Sequence, residues 1–165
     1  MGITRRRVRV VLVCAALSAA FTAPALAQTD PVGVFRQAID ARNRGDLAGT
    51  MAEFADDAVR QDGTCPTGCV GAEAIAQSVE QNFAEHFQAT VLDARADGDL
   101  VTALTELRSD VFRARGAERV ISSYTVELRG GKIVRWASSL DTSDPQTAAF
   151  LALQRQPAPA PAQIP

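Results

Sequence analysis

The sequence contains one histidine and three cysteines among its 165 residues, so the side chains that bind zinc are scarce. Cys65 and Cys69 would need two further ligands to form a zinc site, and His86 alone cannot supply them. The sequence also lacks the G-x-S-x-G, dinucleotide-binding, phosphate-binding glycine and H-E-x-x-H motifs. Serine hydrolysis, hydride transfer and phosphoryl transfer are therefore unsupported, and we expect neither a cofactor nor a metal.

The amino terminus lacks an apolar run long enough to span a membrane. Four arginines between positions 5 and 9 precede an apolar stretch over residues 10–21, and Ala25-Leu26-Ala27 follows. This order predicts a secretory signal over residues 1–27 and an exported, periplasmic or secreted protein. Thr4-Arg5-Arg6 leaves twin-arginine export open, but Arg9 stands where that motif requires an apolar residue, which favours Sec export.

The charge of the remaining chain argues against acidic partners. Removal of residues 1–27 changes 17 basic and 19 acidic residues to 13 and 19, so the formal net charge moves from −2 to −6. We therefore expect no nucleic-acid partner and, after cleavage, no membrane partner. Residues 156–165 alternate proline and alanine and are predicted to form a solvated tail. One domain is predicted over residues 28–155.

Helical periodicity dominates the first half of this domain and strand periodicity the second. Asp30-Pro31 predicts the start of a first helix, and Asp46 the cap of a second that carries Leu47, Met51 and Phe54. Asp56 and Asp57 are interpreted as the residues that end it. A third helix is predicted over residues 71–83, strands over 87–95, 100–112, 119–128 and 132–140, and a last helix from Asp144 through Leu153.

Helices followed by antiparallel strands with short turns indicate an α+β fold. A curved, four-stranded antiparallel sheet wrapped on the helices would form a cone with an internal cavity, since the helices must cover one face of the sheet. The outer face could pair two copies of the chain, so a homodimer through the sheet is a further expectation.

Four motifs in this order resemble one family. These are Gly45-Asp46, residues 54–58 (FADDA), residues 71–75 (GAEAI) and residues 131–134 (GKIV). At these four short motifs the sequence resembles the nuclear transport factor 2-like superfamily, and its SnoaL-like branch in particular. The resemblance covers residues 32–141. It implies a cystatin-like cone and a family of diverse functions, which include ketosteroid isomerases, polyketide cyclases and binding or scaffold proteins.

The resemblance to ketosteroid isomerases assigns two candidate catalytic residues. Asp62 falls on the position of the general base, and Tyr124 falls where that family has the protonated acid that donates a hydrogen bond to the developing enolate. The second donor of that family, a tyrosine on the first helix, is replaced by Ala38. The polyketide cyclases depend on an Asp/His arrangement, for which only His86 is available.

Each of these two candidates has an alternative that involves no chemistry. Asp62 precedes Gly63, and Asp-Gly pairs are common in turns; as a base in a dry cavity its pKa would instead be raised. Tyr124 shares a strand face with apolar residues and is predicted to point inward, where it could simply be a core tyrosine.

Three more residues are candidates for a ligand pocket: His86, Glu106 and Trp136. His86 follows the third helix, and the alternative is an exposed histidine at a helix end. Glu106 lies on the long strand, where pairing with Arg108 or Arg135 is the alternative. Trp136 shares a face with Val134 and Leu140, which also suits the core or a dimer interface.

Cys65 and Cys69 are predicted to form a disulfide, because an exported protein meets an oxidising compartment. Such a small loop gains only about 2 kcal/mol. A redox-active C-x3-C pair is the alternative.

Three functional hypotheses follow. The first is an exported protein that binds a small apolar molecule in the cone. The second is a cofactor-independent isomerase, dehydratase or cyclase with Asp62 as base and Tyr124 as donor. The third is a non-catalytic interaction or scaffold module with a filled cone.

Overall fold

The computed structural model describes residues 30–155; the predicted signal and the proline-rich tail lie outside the described residues. Helices dominate the first half of the described chain and antiparallel strands the second, which confirms the α+β class, although β1 and β2 precede α3 and a short α4 interrupts the strands. The described elements, in chain order, are α1 (Pro31–Asn43), α2 (Leu47–Ala52), β1 (Phe54–Gln61), β2 (Cys69–Val70), α3 (Ala72–Ala84), β3 (Gln88–Asp97), β4 (Leu100–Arg108), α4 (Asp110–Ala114), β5 (Val120–Arg129), β6 (Lys132–Leu140) and α5 (Pro145–Gln154).

The helix starts lie where the capping residues predict them. Pro31 opens α1, and the Asp46 carboxylate accepts a hydrogen bond from the Gly49 backbone N–H at 2.8 Å to cap α2. Asp144 caps α5 in the same way through the Thr147 backbone N–H at 2.9 Å. Within residues 30–155, no helix has the length and apolar character needed to cross a membrane.

The sheet has six strands in the order β2-β1-β6-β5-β4-β3, so the expectation of four antiparallel strands was wrong. β1 pairs in parallel with β6, whereas the other neighbours pair antiparallel. The register shifts within β3, β5 and β1, and such irregularities bend a sheet. The sheet is therefore mixed and open, and it curves around the helices.

The start of β1 corrects the assignment of Phe54 to a helix. Leu47, Met51 and Phe54 recur at helical spacing, yet α2 ends at Ala52 and Phe54 lies in β1 opposite Ile133. Pairing with β6 outweighs the local helical pattern. Asp57 consequently does not end a helix: it lies on β1 and accepts two hydrogen bonds from Arg129, each 2.8 Å long.

The long second strand of the prediction also ends early. β4 stops at Arg108, and the Ser109 hydroxyl accepts a hydrogen bond from the Phe112 backbone N–H at 3.2 Å to cap the short helix α4. Phe112 thus belongs to a helix that leaves the sheet. This change of direction brings α4 over the end of the sheet, close to α5, where Phe112 meets Phe150.

The inner face of the sheet packs on α1. In β5 alternate residues are buried, and Tyr124 and Val126 are among those that point inward, as predicted. Phe35 of α1 lies 5.7 Å from the Tyr124 ring and 5.4 Å from the Trp136 ring, measured between ring centroids. These contacts fix α1 across the sheet, so its carboxyl-terminal turn is held at the edge of an internal cavity.

Candidate functional site

A cavity of about 480 Å³ lies between the inner face of the sheet and the helices. This volume lies within the range of small-molecule sites, roughly 300–1,000 Å³. One part of its wall is apolar and is formed by Phe87, Leu107, Phe112, Leu140 and Phe150. Another part of its wall is polar and is formed by Arg42, Arg60, Asp62, Asn82 and Tyr124. Arg115 and Gln154 also line the cavity and are exposed to solvent.

Asp62 lies just beyond β1, and its carboxylate is saturated with hydrogen bonds. One oxygen accepts from the Thr64 hydroxyl at 2.7 Å and from the backbone N–H groups of Thr64 and Cys65 at 3.0 and 3.2 Å. The other accepts from the Arg60 Nε–H at 2.6 Å. Asp62 therefore lines the cavity and also organises the turn after β1, as the turn interpretation predicted.

Arg60 is the partner that holds this carboxylate, and its side chain is only 3% exposed. Besides Asp62, its guanidinium donates to the Ser78 hydroxyl at 3.1 Å, the Asn82 side-chain amide oxygen at 2.9 Å and the Thr64 hydroxyl at 3.2 Å. Every nitrogen of Arg60 thus has a partner. The result is a closed polar network that ties β1 to α3 beside the cavity.

This network changes the acidity expected of Asp62. Burial raises the pKa of its carboxyl, but the Arg60 charge and the hydrogen bonds from Thr64 and Arg60 together outweigh burial, and the pKa lies below its ordinary value. The expectation of a raised pKa was therefore wrong in direction. A carboxylate held in this way is ionised at neutral pH but is a weak base.

Asp62 should make the protein sensitive to acid. Because its pKa is lower in the folded chain than in the unfolded chain, its contribution to stability is complete above the unfolded value, about 3.9, and is lost as the pH falls through the folded value. We expect the free energy of unfolding to fall more steeply for the wild type than for Asp62→Asn as the pH is lowered below about 4. Urea denaturation at each pH measures both, and parallel curves would contradict the assignment.

Arg42 of α1 is the second buried guanidinium of the cavity, and it differs from Arg60 in lacking an acidic partner. The residue is 3% exposed, and its Nε and Nη2 atoms make no hydrogen bond within residues 30–155. Its guanidinium carbon lies 4.6 Å from the centre of the Phe87 ring and 5.6 Å from that of Trp136. Burial lowers the pKa of Arg42 and the Arg60 charge acts in the same direction, while Tyr124 and Asp62 oppose them.

Tyr124 lines the cavity on the sheet side, so the structure brings it and Asp62 to one cavity. Trp136 does not line this cavity. Its ring packs between Phe54 and Tyr124, at centroid distances of 5.7 and 5.1 Å, which is the core alternative of the sequence analysis. Ala38, at the position of the missing tyrosine, is buried outside the cavity wall.

The structure does not bring His86 or Glu106 to the cavity. The chain turns at His86, whose φ is 48°, and the side chain points away from the cavity. It is 77% exposed, and its Nδ1 atom lies 2.6 Å from an Asp110 carboxylate oxygen. Glu106 lies on the face of β4 opposite the buried residues and pairs with Arg108 at 2.8 Å and Arg119 at 3.6 Å. Both pocket assignments were wrong, and the pairing of Glu106 with Arg108 is confirmed.

Cys65 and Cys69 form the predicted disulfide and close the loop that follows Asp62. The Cys65 backbone N–H also binds Asp62, so the bridge and the carboxylate fix the same turn. Within the described part of the chain, no group of three or more His, Cys, Asp and Glu side chains is placed to hold a metal ion.

Sequence analysis missed Arg42, Arg60 and Asn82, although the first two carry a detectable signal. Arg42 follows Phe35 and Ile39 at helical spacing, so it lies on the buried face of α1. Arg60 follows the buried Ala58 at strand spacing along β1 and therefore shares its face. Asn82 carries no comparable signal, because a single amide on a helix is usually exposed.

Comparison with known protein families assigns the chain to a family. The family model of the SnoaL-like domain matches residues 35–136, more than half of the chain. The chain belongs to the SnoaL-like domain family. It therefore lies in the nuclear transport factor 2-like superfamily, as the four motifs indicated.

Solved structures share the fold of this SnoaL-like protein at low sequence identity. A proposed polyketide cyclase from Sinorhizobium meliloti is 22% identical with a TM-score of 0.58, covering 65% of this chain and 94% of its own. A proposed ketosteroid isomerase from Kribbella flavida is 19% identical with a TM-score of 0.56, covering 67% and 77%. RV0760c from Mycobacterium tuberculosis, in complex with estradiol-17beta-hemisuccinate, is 17% identical with a TM-score of 0.58, covering 70% and 97%. A search of curated proteins found no significant match.

Proposed function

We propose that this SnoaL-like protein binds a small, largely apolar molecule in its cavity. The observation that carries the proposal is the cavity itself, about 480 Å³ with an apolar wall and a polar group on one side. A scaffold module with a filled cone would have no such space. RV0760c, which has the same fold, binds a steroid derivative and lends the proposal further support.

Two accompanying proposals concern where and how the protein acts. We propose that the protein is exported, and the disulfide between Cys65 and Cys69 supports an oxidising destination. Pairing of two copies through the outer face of the sheet stays a prediction.

Catalysis is the second candidate function, because Asp62 and Tyr124 line one cavity. In that reaction Asp62 would accept a carbon-bound proton and Tyr124 would donate a hydrogen bond to the developing enolate oxygen. Two features weigh against it: the Asp62 carboxylate already accepts four hydrogen bonds, and its pKa is lowered. Binding without turnover is therefore the better-supported function.

Blocking the cavity tests the proposal directly. Ser138 lies in β6 on the cavity wall, and Ser123 lies in β5 on the exposed face of the sheet. We expect N-phenyl-1-naphthylamine, a neutral apolar fluorophore, to bind the wild type and Ser123→Trp alike. Ser138→Trp should weaken its binding by about ten-fold or more, because the indole would occupy the space of the probe.

Fluorescence titration measures these affinities, and circular dichroism checks that both variants are folded. Equal binding by the two variants would mean that the probe lies elsewhere and would count against the cavity. As an independent test, native mass spectrometry of wild-type protein purified from its own source should reveal a retained small molecule. The Ser138→Trp variant should lack it.

A further inference from the structure

The buried charges that face the cavity do not balance, whereas Glu85 and Arg115, which also line it, are more exposed and opposite in sign. Arg42 and Arg60 contribute two buried guanidinium groups, and Asp62 contributes one buried carboxylate. That carboxylate is engaged by Arg60, whose other nitrogens are also satisfied. Arg42 is therefore left as a buried cation without an acidic partner, and arginine stays protonated at neutral pH.

The contacts that Arg42 does make use only part of its hydrogen-bonding capacity, through the Tyr124 hydroxyl. The Arg42 guanidinium lies over the ring faces of Phe87 and Trp136. These rings stabilise its positive charge but accept no conventional hydrogen bond. Its Nε and Nη2 atoms are shielded from solvent and have no partner among the described residues. Buried polar groups in proteins are almost always hydrogen-bonded, so the described residues alone do not fully satisfy the Arg42 guanidinium, which also lines the cavity.

We propose that the molecule bound in the cavity carries a carboxylate, which Arg42 binds while the apolar wall holds the rest of the molecule. This inference rests on the proposed binding function and specifies its ligand class. A planar carboxylate matches the fork of donors on a guanidinium. The Tyr124 phenol and the Ser138 hydroxyl also line the cavity and supply further donors.

The overall charge of the protein cannot account for such a preference. The chain has a formal net charge of −2, so its long-range field repels an anion. Selection of an anionic ligand would therefore have to come from the local excess of positive charge at the Arg42 side of the cavity.

A matched pair of probes separates this inference from the proposed function. 2-Naphthoate and 2-naphthamide have the same ring and nearly the same shape, but only the first is charged at neutral pH. Isothermal titration calorimetry of the wild type should give an affinity for 2-naphthoate about ten-fold or more above that for 2-naphthamide. Equal affinities would overturn the carboxylate assignment and leave the binding function standing, whereas failure of both probes to bind would overturn both.

Variants on α1 then identify the residue responsible. Arg42→Met should abolish the preference for 2-naphthoate while retaining 2-naphthamide binding, because methionine keeps the volume and removes the charge. Arg36→Met is the matched control, since Arg36 lies on the same helix and is exposed. A preference that survives in Arg42→Met, or that is lost in Arg36→Met, would contradict the assignment to Arg42.

Discussion

Replacement of Arg60 by methionine is expected to lower the free energy of unfolding by about 3–5 kcal/mol. The substitution leaves the Asp62 carboxylate, which is 8% exposed, without its cationic partner. It also removes the donors to Ser78 and Asn82, which link β1 to α3. Breaking a buried ion pair from one side is destabilising mainly because the remaining charge stays desolvated. Urea denaturation followed by circular dichroism measures the change.

An exposed ion pair of similar geometry provides the control. Arg129 pairs with Asp57 at 2.8 Å, but both side chains are about two-thirds exposed, at 66% and 68%. Arg129→Met should change the free energy of unfolding by no more than about 1 kcal/mol, since water replaces the lost interaction. If the two variants lose similar amounts of stability, the Arg60 network is not the buried, closed structure described above.

Local signals in the sequence predict most of the fold, and long-range pairing explains the errors. The starts of α1, α2 and α5 and the strand β6 lie where the sequence places them. The segment from Phe54 to Asp57 does not, because its helical spacing is overruled by a parallel partner almost eighty residues later in the chain. Parallel pairing between distant segments leaves no local mark that a single sequence reveals.

The candidate site is predicted less well, for a different reason. Asp62 and Tyr124 were found because a family resemblance and strand alternation point to them. His86 and Glu106 were misplaced because a single backbone turn, or a shift to the other face of a strand, moves a side chain out of the cavity. Arg42 and Arg60 were missed because arginine is usually exposed, and only their periodicity with buried neighbours reveals them.

Replacement of Arg42 by methionine is expected to have the opposite effect to replacement of Arg60. Without ligand, the free energy of unfolding should rise by about 1–3 kcal/mol, because each buried donor without a partner is destabilising by an amount in this range. The lost contacts with Phe87 and Trp136 limit the gain, since a desolvated cation–π interaction contributes about 2 kcal/mol. Methionine partly replaces those contacts, because its sulfur also packs favourably on aromatic rings.

The sign of this change is what makes the experiment informative about function. Arg36→Met, on the exposed side of the same helix, should alter stability by no more than about 0.5 kcal/mol. A gain in Arg42→Met, measured by urea denaturation, would mean that the ligand-free protein retains a charge that reduces its stability, as expected of a group kept for binding. A loss as large as that expected for Arg60→Met would instead mean that Arg42 is a structural residue, satisfied by its aromatic neighbours.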